Sequence, residues 1–260
     1  MAYALPPLRW IPIDTSGRFC YVIIYMPGRE IPLITSEIYH VLNRGVASQP
    51  TFQNKKDFQR ALETMFYYQH ESPPIKYSKF LELSNFSRQQ ILADLKKQKE
   101  FLVETLAYCF MPNHFHFILR QSSENGISKF MSNFTNSYTR YFNTKNKRNG
   151  PLFQGKFKAI RVETEEQLSH LSRYVHLNPY SSYVVKNLKE LEEYPFSSLP
   201  EFLGKTQSSF CAKEPILANF KNTTAYREFV FDQADYQRRL EEIKHLTLEE
   251  KFVSSPRWRI

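Results

Sequence analysis

The stretch FLVETLAYCFMPNHFHFIL, from Phe101 to Leu119, decides how this chain folds. Residues 101–110 and 114–119 are apolar, aromatic and β-branched, and the Met111-Pro112-Asn113 break between them is short enough for a hairpin. Two antiparallel strands are therefore expected side by side, as the anchor of a sheet. In the second strand the period of two puts His114 and His116 on one face, while Phe115, Phe117 and Leu119 point to the other.

Upstream, Ile38 to Leu42 reads as a further strand closed by Asn43-Arg44-Gly45. From Asn54 the pattern becomes helical, with Phe58, Leu62, Met65 and Phe66 on one stripe and Asp57 in the first turn, until Pro73-Pro74. Ser87-x-x-Gln90 has capping-box form and predicts a second helix starting near Ser87. Downstream, Gly126 opens a long helix whose Ile127, Phe130, Met131, Phe134, Tyr138, Tyr141 and Phe142 follow three- and four-residue spacing. Phe157 to Val162 predicts another strand. Thr164-x-x-Gln167 then caps a helix running through Leu168, Leu171 and Val175 until Pro179 stops it. The expected class is α+β, an antiparallel sheet with flanking helices. Residues 1–29 read as a weakly patterned extension with a second start at Met26, residues 30–203 as the main domain, and residues 204–260 as a mainly helical, charged appendage.

The chain has 260 residues, 42% of them apolar and 15% aromatic, which excludes disorder of the low-hydrophobicity kind. The longest apolar run, Phe19 to Met26, is far below the roughly 20 residues of a membrane-spanning helix. No secretory signal pattern is visible and the cysteines, Cys20, Cys109 and Cys211, are odd in number, so a reducing cytoplasm is the expected compartment. Lys and Arg total 35 against 26 Asp and Glu, a formal charge of +9. Between Asn125 and Val162 there is no carboxylate, yet Lys129, Arg140, Lys145, Lys147, Arg148, Lys156, Lys158 and Arg161 all fall there. Such a cationic window interleaved with aromatics suits a single-stranded nucleic acid, with a solvated basic face over a buried aromatic stripe as the plain alternative. The loop from Arg148 to Lys156 carries Gly150 and Gly155, which allow a ligand to approach the backbone.

Two neutral imidazoles side by side form half of a divalent-metal site, although His-x-His alone also fits satisfied structural histidines. Cys109 and His114 lack the partner Cys pair of a structural zinc site. On the helix after Thr164, His170, Tyr174 and Asn178 are four apart and share a face, so an imidazole, a phenol and an amide project together. Tyr138 and Tyr141 are rival phenols, but both fall on an apolar stripe where a buried ring is the default.

Four ordered blocks carry a resemblance: Tyr39-His40-Val41-Leu42-Asn43-Arg44-Gly45, Met111-Pro112-Asn113-His114-Phe115-His116, the run from Gly150 to Lys158, and Arg173-Tyr174-Val175-His176-Leu177-Asn178-Pro179. Over residues 30–203 the chain resembles the single-tyrosine HUH transposases, more narrowly the insertion-sequence-200-like group with its REP-associated tyrosine transposases. The resemblance implies a ferredoxin-like or RRM-like domain that cuts and rejoins single-stranded DNA through a covalent 5′-phosphotyrosine. Carried over by position, Tyr174 is the nucleophile and His114, His116 and Asn178 hold a divalent metal, Mg²⁺ or Mn²⁺; His170 has no assured role. The expected DNA contacts are Arg44, Arg148, Phe153, Gln154, Lys156, Lys158, Arg161 and Arg173. The expected partners are single-stranded DNA with hairpin or palindromic ends and a second copy of the chain, with no membrane. A domesticated hairpin-binding protein that does not cut, and a metal nuclease that uses water, are the alternatives.

Overall fold

Strands β1 (Ile38–Arg44), β2 (Val103–Met111), β3 (His114–Gln121) and β4 (Lys158–Val162) form one antiparallel sheet in the order β2-β3-β1-β4. The computed structural model describes residues 33–206 and 210–241; the N-terminal extension 1–29, the start at Met26 and the end of the charged tail lie outside them. Helices α1 (Lys55–Tyr68), α2 (Tyr77–Phe80) and α3 (Asn85–Gln98) lie between β1 and β2, and α4 (Gly126–Lys145) lies between β3 and β4. Then follow α5 (Glu165–Ser181), α6 (Leu188–Glu192), α7 (Leu199–Phe202), α8 (Glu214–Leu217) and α9 (Thr223–Phe231).

The alternation of β3 divides the sheet into two faces. Phe115, Phe117 and Leu119 stand opposite Asn43, Val41 and Tyr39 of β1, and pack against Phe130 and Phe134 of α4, with Tyr138 one turn further along the same stripe. His114 and His116 stand opposite Arg44 and Leu42 on the other face, where α5 crosses β2 and β3. Directly opposed residues share a face, so His40, Leu42 and Arg44 of β1 and Lys158 and Ile160 of β4 belong to the histidine side. Helix α1 closes the outer layer. Its N-cap Asn54 accepts from the Asp57 amide, and the buried Asp57 carboxylate receives Lys145 Nζ at 2.6 Å and the Tyr141 hydroxyl at 2.8 Å from α4.

The strong periodic segments form where the pattern puts them, with two local corrections. Helix α3 starts three residues earlier than expected: Ser84, not Ser87, is the N-cap and accepts from the Ser87 amide at 3.1 Å. Helix α5 continues through Pro179 to Ser181. Pro179 leaves the Val175 carbonyl without its helical donor, and the helix end is closed by the Val184 and Val185 amides, which both bond the Pro179 carbonyl.

The described residues from Leu33 onward form one compact unit, and those beyond residue 203 pack into its core rather than standing off it. Tyr226, Val230 and Ala234 recur at a spacing of four and are all buried. His176 of α5 ties this segment down, with Nδ1 at 2.7 Å from the Tyr226 hydroxyl and Nε2 at 2.8 Å from Ser198 Oγ. Tyr226 donates to Ser172 Oγ, Ser172 to the Ser169 carbonyl and Ser198 Oγ to the Tyr108 carbonyl, so the His176 ring sits inside a buried hydrogen-bond network.

Gly126 begins α4 where the helix presses on the sheet. A Cβ there would lie 2.0 Å from the Leu102 carbonyl oxygen, a backbone atom that cannot swing aside. Gly126→Ala is therefore expected to cost about 1–3 kcal/mol, visible as a lower urea midpoint at unchanged slope.

Candidate active site

The site is assembled from β3, β1 and α5. The His114 and His116 rings lie 4.9 Å apart and perpendicular. His114 Nδ1 lies 2.6 Å from Asn113 Oδ1, and a proton on Nδ1 would leave the Nε2 lone pair to a metal. The Asn178 side chain hydrogen-bonds the same imidazole from α5. One turn earlier on α5, the Tyr174 ring meets His116 edge-on at 5.4 Å. Asn178 is buried, and Tyr174 is half-buried at the mouth of the site.

Burial keeps the imidazoles neutral. It lowers His114 to about 4, helped by the Arg44 guanidinium, and pushes His116 well below the ordinary histidine value, with His114, His40 and Arg44 adding to the effect. At neutral pH both rings are lone-pair donors rather than cations, which a metal ligand requires. Among the described residues no group of three or more His, Cys, Asp or Glu could hold a metal ion. The donor set is thus two neutral nitrogens and one amide oxygen. That set is chemically suited to a hard or borderline divalent ion with coordination positions left for phosphate oxygens.

His114, His116, Tyr174, Asn178 and Arg44 come together; His170 and Arg173 do not join them. Arg173 lies over the Phe229 ring at 4.3 Å and within 2.7 Å of His170 Nδ1, and the His170 ring packs on Phe229, so both side chains brace α5 against α9. Phe153 is a core residue, 6% exposed, with its ring against Phe115 and Tyr138, and it supports the loop from beneath instead of offering a face to a base. Gln154 is exposed, and its amide bonds the Arg44 carbonyl at 2.8 Å, which places the glycine-containing loop at the histidine end of β1. Lys156 and Lys158 are exposed, and Lys158 stands in register with Leu42 and, through it, His116. Two strand spacings put it roughly 10 Å from that histidine along the sheet. Arg161 is on the opposite face, paired with Glu37 at 2.6 Å. Arg148 borders an open cleft shared with Arg140, Asn143, Thr144, Lys147 and Asn149.

The rival phenols are occupied. Tyr138 is fully buried and donates to the Thr51 carbonyl, and Tyr141 donates to Asp57, with burial followed by that carboxylate pushing it up to about 12. One site residue escaped the sequence reading, His40. Its Nε2 lies 2.9 Å from His116 Nδ1 and its ring also meets Tyr174, at 6.2 Å. Its signals were its place in the first motif block and its alternation with Leu42 and Arg44, which becomes informative once the β1–β3 register is known.

Residues 82–178 match the model of a family described as "Transposase IS200 like", a segment that contains His114, His116, Tyr174 and Asn178. The matched segment is 97 of the chain's 260 residues and leaves the first motif block, Tyr39 to Gly45, outside it. A solved structure described as "Structure of the REP associates tyrosine transposase bound to a REP hairpin" aligns with 72% of this chain and 90% of its own, at 12% identity and a TM-score of 0.46. No curated protein matches the chain.

Proposed function

We propose that this chain is a transposase that cuts and rejoins single-stranded DNA with Tyr174 as the nucleophile, through a covalent 5′-phosphotyrosine. The observation that carries the reading is the convergence of Tyr174 and Asn178, from α5, on the paired imidazoles of β3. A phenol of reference pKa near 10 is a weak nucleophile at neutral pH and needs help to deprotonate. His114, His116 and Asn178 would hold Mg²⁺ or Mn²⁺, which when bound neutralises phosphoryl charge and favours the phenoxide.

The protein's own groups do the rest. Tyr174 Oη attacks the scissile phosphorus, the P–O3′ bond breaks, and the departing oxygen takes a proton to become a 3′-hydroxyl. The new aryl phosphodiester keeps a good leaving group, so a DNA 3′-hydroxyl reverses the step without an external energy source. Arg44, opposite His114, adds positive charge beside the phosphate, and Lys156 and Lys158 offer cations for the flanking backbone. Hairpin or palindromic ends as the DNA, and a dimer as the working unit, belong to the same proposal. No helix among the described residues is long and apolar enough to cross a membrane.

The test is incubation of the purified protein with labelled single-stranded oligonucleotides and Mn²⁺ or Mg²⁺, followed by denaturing electrophoresis. A labelled protein band that disappears with chelator is expected. Cleavage without a band would point to a water-using nuclease, and binding without cleavage to a domesticated binder. For the DNA track, Lys158→Ala should weaken single-strand binding and flatten the slope of log affinity against log salt by about 0.7, the value for one phosphate contact. An unchanged slope in a salt titration would remove Lys158 from the track.

A further inference from the structure

We propose that His40 is a positioning residue, fixing His116 in the tautomer and orientation in which it can ligate the metal. This rests on the functional reading above and adds to it a residue on a different strand. His40 Nε2 lies 2.9 Å from His116 Nδ1, and the two ring planes are 23° apart with centroids separated by 5.1 Å, so the rings meet edge to edge as an in-plane N–H···N contact requires. Between two neutral imidazoles only one proton can occupy such a contact. If His116 Nδ1 donates it, the lone pair of His116 is left on Nε2, on the far side of the ring from His40.

The neighbouring histidine shows the same arrangement with a different partner. Asn113 Oδ1 lies 2.6 Å from His114 Nδ1, so a proton on that nitrogen leaves Nε2 to the metal. His40 plays for His116 the part that Asn113 plays for His114, so the two ligands of one centre present the same nitrogen. Outer groups of this kind, which accept the second N–H of a ligating histidine, set ring orientation and tautomer.

His40 is not a third ligand: its Nε2 faces the His116 nitrogen, and no group of three His, Cys, Asp or Glu among the described residues could hold a metal. The cross-strand register explains how the contact arises. His40 pairs with Ile118 and Leu42 with His116, so His40 is the diagonal neighbour of His116 on the α5 side of the sheet. The Tyr174 ring stands edge-on to both imidazoles, at 6.2 Å from His40 and 5.4 Å from His116, so orienting His116 also shapes the seat of the phenol.

The proposal separates from simple packing through two variants of the full chain. His40→Phe keeps a flat ring of similar size and loses the acceptor, whereas His40→Gln keeps an acceptor near the place of Nε2. Titration calorimetry with Mn²⁺ should show a dissociation constant raised about 10–100-fold in His40→Phe and largely restored in His40→Gln. Histidine ¹⁵N NMR of the metal-free wild type should show His116 protonated on Nδ1 and His40 without a proton on Nε2. The opposite proton assignment would overturn the proposal without any variant, which matters if His40→Phe does not fold. A folded His40→Phe that binds Mn²⁺ like wild type would overturn it as well. Wild-type protein that binds no Mn²⁺ would overturn the metal-assisted reading itself, and this proposal with it.

Discussion

Tyr174→Phe should leave a folded protein that binds single-stranded DNA and forms no covalent adduct, with strand transfer reduced roughly 10³-fold or more, as when a nucleophile is deleted elsewhere. The ring makes edge-on contacts with His40 and His116, and Phe preserves them, so the substitution removes an oxygen rather than a packing partner. The imidazoles, Asn178 and the basic loop remain, so DNA affinity should stay within experimental error of wild type. The measurement is the labelled protein band on a denaturing gel beside a binding assay under the same salt. An adduct that survives would move the nucleophile away from Tyr174. Tyr138 and Tyr141 would be poor successors, since their hydroxyls serve the Thr51 carbonyl and the Asp57 carboxylate.

Acidification should destabilise the metal-free protein well before its carboxylates titrate. His176 is fully buried, and burial lowers it to about 3 in the folded state, whereas an unfolded histidine titrates near 6.5. Between those values the unfolded chain binds more protons, so stability falls as pH drops below about 6.5 and continues falling towards 3. At pH 5 the loss from His176 alone is about 2 kcal/mol, and His40, His114 and His116, all lowered by burial, push in the same direction. Urea denaturation at pH 7.5 and pH 5, with chelator present, reads this directly. His176→Gln should be less stable at pH 7.5, because it breaks the Tyr226 and Ser198 contacts, and should lose less on acidification. Equal stability of the wild type at the two pH values would contradict the buried neutral assignment.

The effect reaches the site through α5. His176 lies between Tyr174 and Asn178 in sequence but points to the other side of the helix, into Tyr226 and Ser198. It locks the rotation of the helix that presents the phenol and the amide. The 173–179 motif placed His176 beside the reactive residues without showing which way it faces, because helix spacing alone gives relative directions and the packing partner supplies the absolute one.

The chain order alone determined the β2–β3 hairpin, the face shared by His114 and His116, the long amphipathic α4 and the capped start of α5, because these depend on periodicity and capping over a few neighbouring residues. Folding decided the rest. His40 joined the centre through a cross-strand register linking residues 76 positions apart. Phe153 was drawn inward by Phe115 and Tyr138, and His170 and Arg173 were drawn to Phe229. The described residues beyond 203 entered the core through Tyr226 and Val230 despite the segment's charge. Each of these outcomes depends on which distant surface a side chain meets, and local pattern carries no record of that meeting.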